Sequence, residues 1–372
     1  MNKAQMATRF IPNEYDIFAG LDVDKKSIAA TFLEHDGNMK QIKMPYNGEH
    51  LMNYVNKRYP DKRVAFVYEA GPTGFGLYDE LSSHHQYCMV TSASNIPREP
   101  SNRVKTNRLD SKKLSENLRG GQLRPVHVPT QEYRELRHLI QMRDTFVQQA
   151  KSTKYRIKSL LLVNGLKFPE TETWTIAVME QLKELPCTTA IRFHLNKLIL
   201  SLEFFNSNVI DTTKAIRSFC KHDDDIKKNI GFLMSIPGIG FITASQLMAR
   251  IGDWRNLYRY DQIGSFLGLV PSEKSTGDDI KRGSITRMGN TNLRSKLIQC
   301  AWSAIRKDQE LQKFYLSLFH RNLNDHGAQK AITAVARKLT TRIYAVLTQQ
   351  RNYEVRIQQK KEQKEKIAPF GE

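Results

Sequence analysis

The first ninety or so residues alternate short apolar runs with polar turns, which is the pattern of strands joined by tight connections. Residues 15–34 predict two strands around a charged turn, and residues 63–69 form a continuous apolar strand. A glycine-rich turn and a helix follow at residues 71–83, and residues 86–91 predict a further strand. Strands mixed with helices predict an α/β domain at this end of the chain.

From Thr130 onward the apolar residues recur at helical spacing. One amphipathic helix of more than thirty residues is predicted to end near Asn164-Gly165, and its length suggests a coiled coil or a strut between domains. Further helices are predicted at residues 175–185, 188–206, 213–229, 310–323 and 327–350.

These patterns give a chain of α/β plus all-α class. We expect an α/β domain at residues 1–128 and a helical, coiled-coil linker at 129–229. A second helical domain is expected at 230–350 and a charged tail at 351–372.

The composition favours a polyanionic partner. The 372 residues contain 57 Lys and Arg against 38 Asp and Glu, a net charge of +19, which points first to nucleic acid. No apolar run approaches a membrane span, and the N-terminus lacks a signal-peptide pattern. The scattered cysteines Cys88, Cys187, Cys220 and Cys300 fit neither a zinc site nor a disulfide framework. A cytoplasmic protein without a membrane partner is therefore expected.

Three acids stand out because each lies next to a predicted strand or in a following helix. Asp22 lies within the first strand, Glu69 ends another, and Asp110 shares a helix face with Asn107. Asp22 alone could be an acid that caps the turn, and Asp110 alone could form a salt bridge to a neighbouring Lys or be an N-cap. Together they have the layout of a ribonuclease H-like fold, in which carboxylates hold Mg²⁺ or Mn²⁺ for phosphodiester chemistry.

Two further segments favour phosphate binding. Residues 98–124 are densely basic, and Pro237-Gly238-Ile239-Gly240 lies between two apolar helices, as in a helix-hairpin-helix that binds nucleic-acid backbone. A plain helical hairpin is the alternative. Residues 263–302 combine four glycines, clustered hydroxyls and basic residues, which predicts either a basic surface loop or a phosphoryl-transfer site.

Five ordered blocks resemble the insertion sequence 110 family of transposases, also called DEDD transposases or bridge-RNA-guided recombinases; the insertion sequence 1111 subgroup fits as well. The blocks are FAGLDVDKKS, YEAGPTGFGLYDEL, RVKTNRLDSKKL, SIPGIGFITASQLMARIGD and FLGLVPSEKSTGDDIKRGSITRMGNTNLRSKLIQCAW. The resemblance covers nearly the whole chain. It implies a RuvC-like N-terminal domain, a coiled-coil linker and a C-terminal transposase domain.

The resemblance also implies the roles of individual residues. Asp22, Glu69 and Asp110 match the first, second and fourth acids of the family. Asn107 stands where the third acid is expected, so it could bind metal only through a neutral oxygen; Asp24 and Glu116 are the acids that could compensate. In the Ser275-Thr276-Gly277 segment, Ser275 is the expected nucleophile and Ser272 the second choice.

The function implied is excision and insertion of a mobile DNA element through a phosphoserine intermediate. A noncoding bridge RNA would choose the donor and target DNA, and a dimer or tetramer would form a composite site in a bacterial or archaeal nucleoid. The alternatives are a RuvC-like junction nuclease that uses water and a non-catalytic nucleic-acid-binding relative. The nucleic-acid contacts expected are Arg103, Lys105, Arg108, Lys112, Lys113, Pro237, Gly238, Gly240, Lys274, Lys281, Arg282, Arg287 and Arg294.

Overall fold

The computed structural model describes residues 10–97, 106–169, 173–276, 279–321 and 326–354, without the side chains of residues 274–282. The chain divides into two compact units, Met1–Val128 and Pro129–Glu372. The first is a mixed α/β unit, and the described residues of the second form helices and one β-hairpin. No helix in the described ranges is long and apolar enough to cross a bilayer.

The first unit is built on a five-stranded sheet with the strand order β3-β2-β1-β4-β5. The strands are β1 (Ile17–Val23), β2 (Ser27–Glu34), β3 (Met39–Pro45), β4 (Val64–Glu69) and β5 (Tyr87–Thr91). β1, β2 and β3 are antiparallel neighbours, whereas β4 and β5 run parallel to β1. The helices are α1 (Gly48–Arg58), α2 (Gly76–Ser83) and α3 (Asn107–Arg119), and short 3₁₀ turns cover Pro12–Glu14 and Ala93–Asn95.

Both faces of this sheet are covered. Because side chains alternate along a strand, Ile17, Ala19 and Leu21 of β1 pack in the cluster that contains residues of α1 and α2. Phe18 packs on the opposite face, in the cluster that contains Leu114 of α3. The sequence patterns gave no sign of β3 or α1, since β3 is a largely polar strand at the sheet edge.

The second unit contains nine helices within the described ranges. They are α4 (Gln131–Val163), α5 (Ile176–Glu184), α6 (Thr189–His222), α7 (Asp224–Met234), α8 (Phe241–Ile251), α9 (Gln262–Phe266), α10 (Thr291–Ala304), α11 (Gln309–Arg321) and α12 (Gly327–Gln349). A 3₁₀ turn covers Trp254–Asn256, and the hairpin consists of β6 (Pro271–Thr276) and β7 (Asp279–Ile285).

The two longest helices form an antiparallel pair. Ile140 of α4 shares a cluster with Ile216 of α6, whereas Ile157 of α4 clusters with Ile199 of α6. The long helix predicted from Thr130 to about Asn164 is confirmed as α4.

The helix break predicted after Asn206 is wrong, because α6 is continuous over 34 residues. Two polar side chains near the expected break hydrogen-bond back within the helix, which removes their competition with the backbone. Asn208 Nδ2 donates to the carbonyl of Phe204 at 2.8 Å, and Thr212 Oγ1 donates to the carbonyl of Asn208 at 2.6 Å.

Candidate functional site

Asp22 and Glu69 lie at the same edge of the central sheet. The parallel register pairs Leu21 of β1 with Tyr68 of β4, so the next residue of each strand is one of these acids. Asp22 is half-buried, and Glu69 is exposed. Alternation places both on the face that α3 covers, since Phe18 and Val67 belong to the cluster on that face.

Helix α3 lies directly on β1 because Gly20 has no side chain. A Cβ at Gly20 would overlap the carbonyl oxygen of Ser111 and the backbone nitrogen of Ser115. A hydrogen bond of 2.8 Å between the hydroxyls of Thr31 and Ser111 also holds the helix.

The direction of α3 brings its first turn to the edge that carries the acids. Arg119, at its end, donates to the carbonyl of Glu34, which is opposite Ile17 at the start of β1. The other end of α3, with Asn107 and Asp110, therefore lies toward the end of β1 that carries Asp22. Asp22 and Glu69 thus lie at one end and on one face of the sheet, and the first turn of α3 points toward that end.

The donor chemistry of these residues fits a divalent cation, since carboxylate and amide oxygens suit Mg²⁺ or Mn²⁺. Within the described ranges, however, no three His, Cys, Asp or Glu side chains already lie together as a metal-ligand group. Metal binding by this set would require the side chains to turn toward a common point.

Neighbouring residues narrow the alternatives. Thr106 caps α3 by accepting from Leu109, so Asp110 is not the N-cap. Glu116 lies 3.7 Å from the ammonium of Lys112, and Asp24 accepts a hydrogen bond from the amide of Lys25 within the β1–β2 turn. Both acids named as substitutes for a missing ligand thus have local contacts.

The glycines of the α7–α8 connection have different surroundings. Gly238 has φ +90°, and a Cβ there would overlap the carbonyl of Cys300 in α10, so this glycine permits helix packing. Gly240 precedes α8 and has open space around the position of a Cβ. Arg217 lies over the ring of Phe241, the first residue of α8, at 4.3 Å from the ring centre. A basic group is therefore present where the helix presents its first amides.

The segment 263–302 is not a loop: it consists of α9, the β6–β7 hairpin and α10. Two glycines with positive φ flank the hairpin, Gly268 before β6 and Gly289 after β7. They allow the chain that enters the hairpin to cross close to the chain that leaves it. A Cβ at Gly268 would overlap the carbonyl of Met288, and one at Gly289 would overlap that of Phe266. The chain before the hairpin and the chain after it thus lie against each other at this crossing.

Ser275 lies on β6 opposite Ile280, and its side chain is outside the described part, as are those of Lys274, Lys281 and Arg282. Ser272 Oγ donates to the carbonyl of Ser284 at 2.9 Å. The hydroxyl of the second-choice serine is therefore used across the hairpin.

The remaining predicted nucleic-acid contacts differ in exposure. Arg103 and Lys105 lie outside the described residues. Arg108 is exposed and Lys112 and Lys113 are half-buried on α3, while Arg287 is exposed after β7.

Arg294 is only 8% exposed, and its guanidinium donates to the carbonyls of Leu267 and Arg287 at 2.9 and 3.3 Å. These hydrogen bonds link the two flanks of the hairpin and leave little of the guanidinium for a nucleic-acid phosphate. The basic pattern of the sequence could not distinguish it from its exposed neighbours.

Two family models match the chain and together cover more than half of it. A transposase model named for DEDD transposases of the IS110 type matches residues 19–163, and the model of the IS116/IS110/IS902 transposase family matches residues 231–316. The chain belongs to the IS110 family of transposases. Members of this family cleave DNA and transfer its strands, so the protein is an enzyme that acts on DNA.

Named relatives agree with this assignment. The protein y4qE of Sinorhizobium fredii, which carries the name of a transposase, is 28% identical over 92% of this chain and 91% of its own. The transposase for insertion sequence element IS1111A of Coxiella burnetii is 27% identical over 67% of this chain and 68% of its own. The pilin gene-inverting protein of Moraxella bovis is 32% identical, over 36% of this chain and 41% of its own.

Proposed function

We propose that this transposase excises and inserts a mobile DNA element by serine attack on DNA phosphodiesters, assisted by acids of a ribonuclease H/RuvC-like N-terminal domain. The strand order β3-β2-β1-β4-β5, with Asp22 and Glu69 on adjacent strand ends beneath α3, supports this most strongly. In this proposal, residues 1–128 form the metal-binding domain and 129–229 the linker. Residues 230–350 form the transposase domain, and 351–372 the charged tail.

Ser275 is the proposed nucleophile. Its Oγ would form a bond to the phosphorus as the bond between phosphorus and the 3′-oxygen breaks, which leaves a free 3′-hydroxyl and a phosphoserine link. The link keeps the phosphodiester free energy, so strands could be rejoined without ATP. The hydrogen bond from Ser272 to Ser284 supports Ser275 over Ser272, because it assigns the Ser272 hydroxyl a structural partner.

The acids would contribute by binding a divalent cation next to the scissile phosphate. Asp22, Glu69 and Asp110, with the neutral amide of Asn107, would hold Mg²⁺ or Mn²⁺, which neutralises developing charge at a scissile phosphate. Three charges instead of four predict weaker metal binding than a full set of acids would give.

Nucleic-acid phosphates would be bound by basic surfaces and by the N-terminus of α8. Arg108, Lys112 and Lys113 on α3, with Arg103 and Lys105 before it, would hold backbone phosphates, as would Lys274, Lys281, Arg282 and Arg287 around the hairpin. The amides after Gly240 would bind another phosphate, with Pro237 and Gly238 shaping the turn. Sequence choice would come from a bridge RNA paired with donor and target DNA, and a dimer or tetramer would complete the site.

Covalent trapping tests the serine step. Full-length protein would be incubated with element-end DNA, Mg²⁺ and the RNA transcribed beside the gene, then denatured and scored for a protein–DNA adduct. We expect an adduct with the native chain and with Ser272→Ala, and none with Ser275→Ala.

Two outcomes would contradict the proposal in different ways. An adduct that persists in Ser275→Ala would assign the nucleophile to another residue. Cleaved DNA without any adduct would favour hydrolysis by water, as in a junction nuclease.

A further inference from the structure

A polar cleft of about 550 Å³ lies in the second unit, between α4, α8 and the start of α10. This volume is within the range of about 300–1,000 Å³ that is usual for small-ligand sites. None of the acids, serines or hairpin glycines discussed above lines it. The cleft therefore needs an explanation of its own.

Carboxamide side chains dominate the wall of this cleft. Three elements contribute six of them: Gln141, Gln148, Gln149, Gln246, Asn290 and Asn292. Carboxamides offer a donor and an acceptor side by side, which matches the edges of nucleobases. Gln141 and Asn292 are exposed, so an incoming group can reach them. Asn292 Nδ2 already donates to Asp144 at 2.8 Å, so this amide offers a ligand its oxygen.

The charges of the cleft leave a positive balance. Asp144 lies 2.8 Å from the ammonium of Lys296 and 3.9 Å from the guanidinium of Arg143, so its charge is compensated. Arg137 donates to the carbonyls of Ala249 and Arg250. Burial, followed by the nearby guanidinium of Arg250, lowers the pKa of Arg137 to about 10, so it remains a cation at neutral pH. With Arg250 also on the wall, the cleft suits an anionic ligand.

One acceptor in this wall is unused. Gln246 is 4% exposed, and its Nε2 donates to Asp144 at 2.9 Å, which fixes the orientation of the amide. Its Oε1 is buried and has no hydrogen-bond partner among the described residues. A buried acceptor without a donor destabilises the fold. Nucleobases carry ring and exocyclic N–H groups of the kind that this oxygen lacks.

We propose that this cleft binds one unpaired nucleotide of the nucleic-acid substrate, with its base against the carboxamides and its phosphate near Arg250. A base can enter such a cleft only when it leaves the helical stack. The inference uses the action of the family on nucleic acid, and it does not depend on the serine step.

A binding assay with bulged duplexes tests the proposal without any cleavage. Full-length protein would be titrated with a duplex that carries one unpaired adenine and with the same duplex carrying an abasic residue instead. We expect about fivefold tighter binding of the adenine bulge, which corresponds to about one net hydrogen bond. DNA and RNA versions would show which nucleic acid supplies the base.

The matched variants are Gln141→Ala/Asn292→Ala, which removes two exposed carboxamides of the cleft, and Gln181→Ala on α5, which removes an exposed one elsewhere. The double variant should lose the preference for the base, and the control should keep it. Equal binding of both duplexes by the native chain, or a preference retained by the double variant, would overturn the proposal. If the double variant melts early, Gln141→Ala alone gives the same comparison.

Discussion

The two units differ in whether they bury charged side chains. Within the described residues, the buried polar side chains of the first unit are hydroxyls and one amide, namely Thr31, Thr91, Ser111, Ser115 and Asn117. The second unit buries three charged side chains, Arg294, Asp308 and Arg342. The candidate acids of the first unit lie at the rim of the sheet.

The partners of the buried charges explain this contrast. Arg342 donates to Asp308 at 2.6 Å and to Glu310 at 3.2 Å, and Asp308 also accepts from the amide of Leu311 and the hydroxyl of Tyr353. Burial alone would raise the pKa of Asp308, but these contacts together hold it below its ordinary value. Charges in the second unit thus hold helices together, whereas charges at the rim of the first unit can meet a ligand.

The largest expected effect is on activity, from Asp22→Asn. The change keeps the shape of the side chain and removes its charge at the sheet edge, so we expect strand transfer to fall by at least about a hundredfold. The midpoint of thermal unfolding should move little. Rates of adduct formation and melting curves measure both quantities.

Asp36→Asn is the matched control, because Asp36 lies in the exposed β2–β3 turn, at the end of the sheet away from Asp22. It should retain activity. An equal loss in both variants would show that general electrostatics, and not the position of Asp22, supports the reaction.

The second effect is on stability, from Arg342→Met. Removing one partner of a buried ion pair leaves Asp308 without its counter-charge, so the free energy of unfolding should fall by about 3–5 kcal/mol. Arg337→Met removes an exposed arginine from the same helix and should cost less than about 0.5 kcal/mol. Urea titrations of both variants make the comparison. Similar losses would mean that the buried network contributes no more than a surface charge.

Gly268→Ala should have the next effect, about 3 kcal/mol of unfolding free energy. Gly268 has φ +64°, and a Cβ there would overlap the backbone of Met288, so both strain and overlap oppose the change. The stability is lost because the chain segments before and after the hairpin could no longer pack so closely. An unfolding midpoint like that of the native chain would show that the crossing can open without cost.

The sequence predicted the first unit better than the second because hydrophobic alternation determines which face a strand residue occupies. The pattern alone placed Asp22 within one strand and Glu69 at the end of another, and the register of the sheet brings both to the same end of it. The edge strand β3 escaped detection because it is mostly polar.

In the second unit the decisive contacts link residues far apart in sequence. The hairpin of β6 and β7 could not be predicted, since its strands are polar and its glycines act through a crossing with distant backbone. Arg294 resembles a surface arginine until the carbonyls of Leu267 and Arg287 are seen around it. Composition predicts the sign of a surface, but only packing shows which charges are already used.

The smallest expected effect is that of Gly240→Ala, in the connection between α7 and α8. Gly240→Ala should cost under about 1 kcal/mol of stability, because a Cβ there meets open space and only the preference for glycine over alanine at an N-cap is lost. If the amides after Gly240 bind a phosphate, the added methyl group should weaken DNA binding about threefold, as measured by titration at fixed salt. Gly231→Ala, also in open space but within α7, should leave DNA affinity unchanged. Equal DNA affinities of the native chain, Gly240→Ala and Gly231→Ala would mean that the α7–α8 turn serves helix packing and does not bind phosphate. Gly238 in the same turn already has such a packing role, against α10.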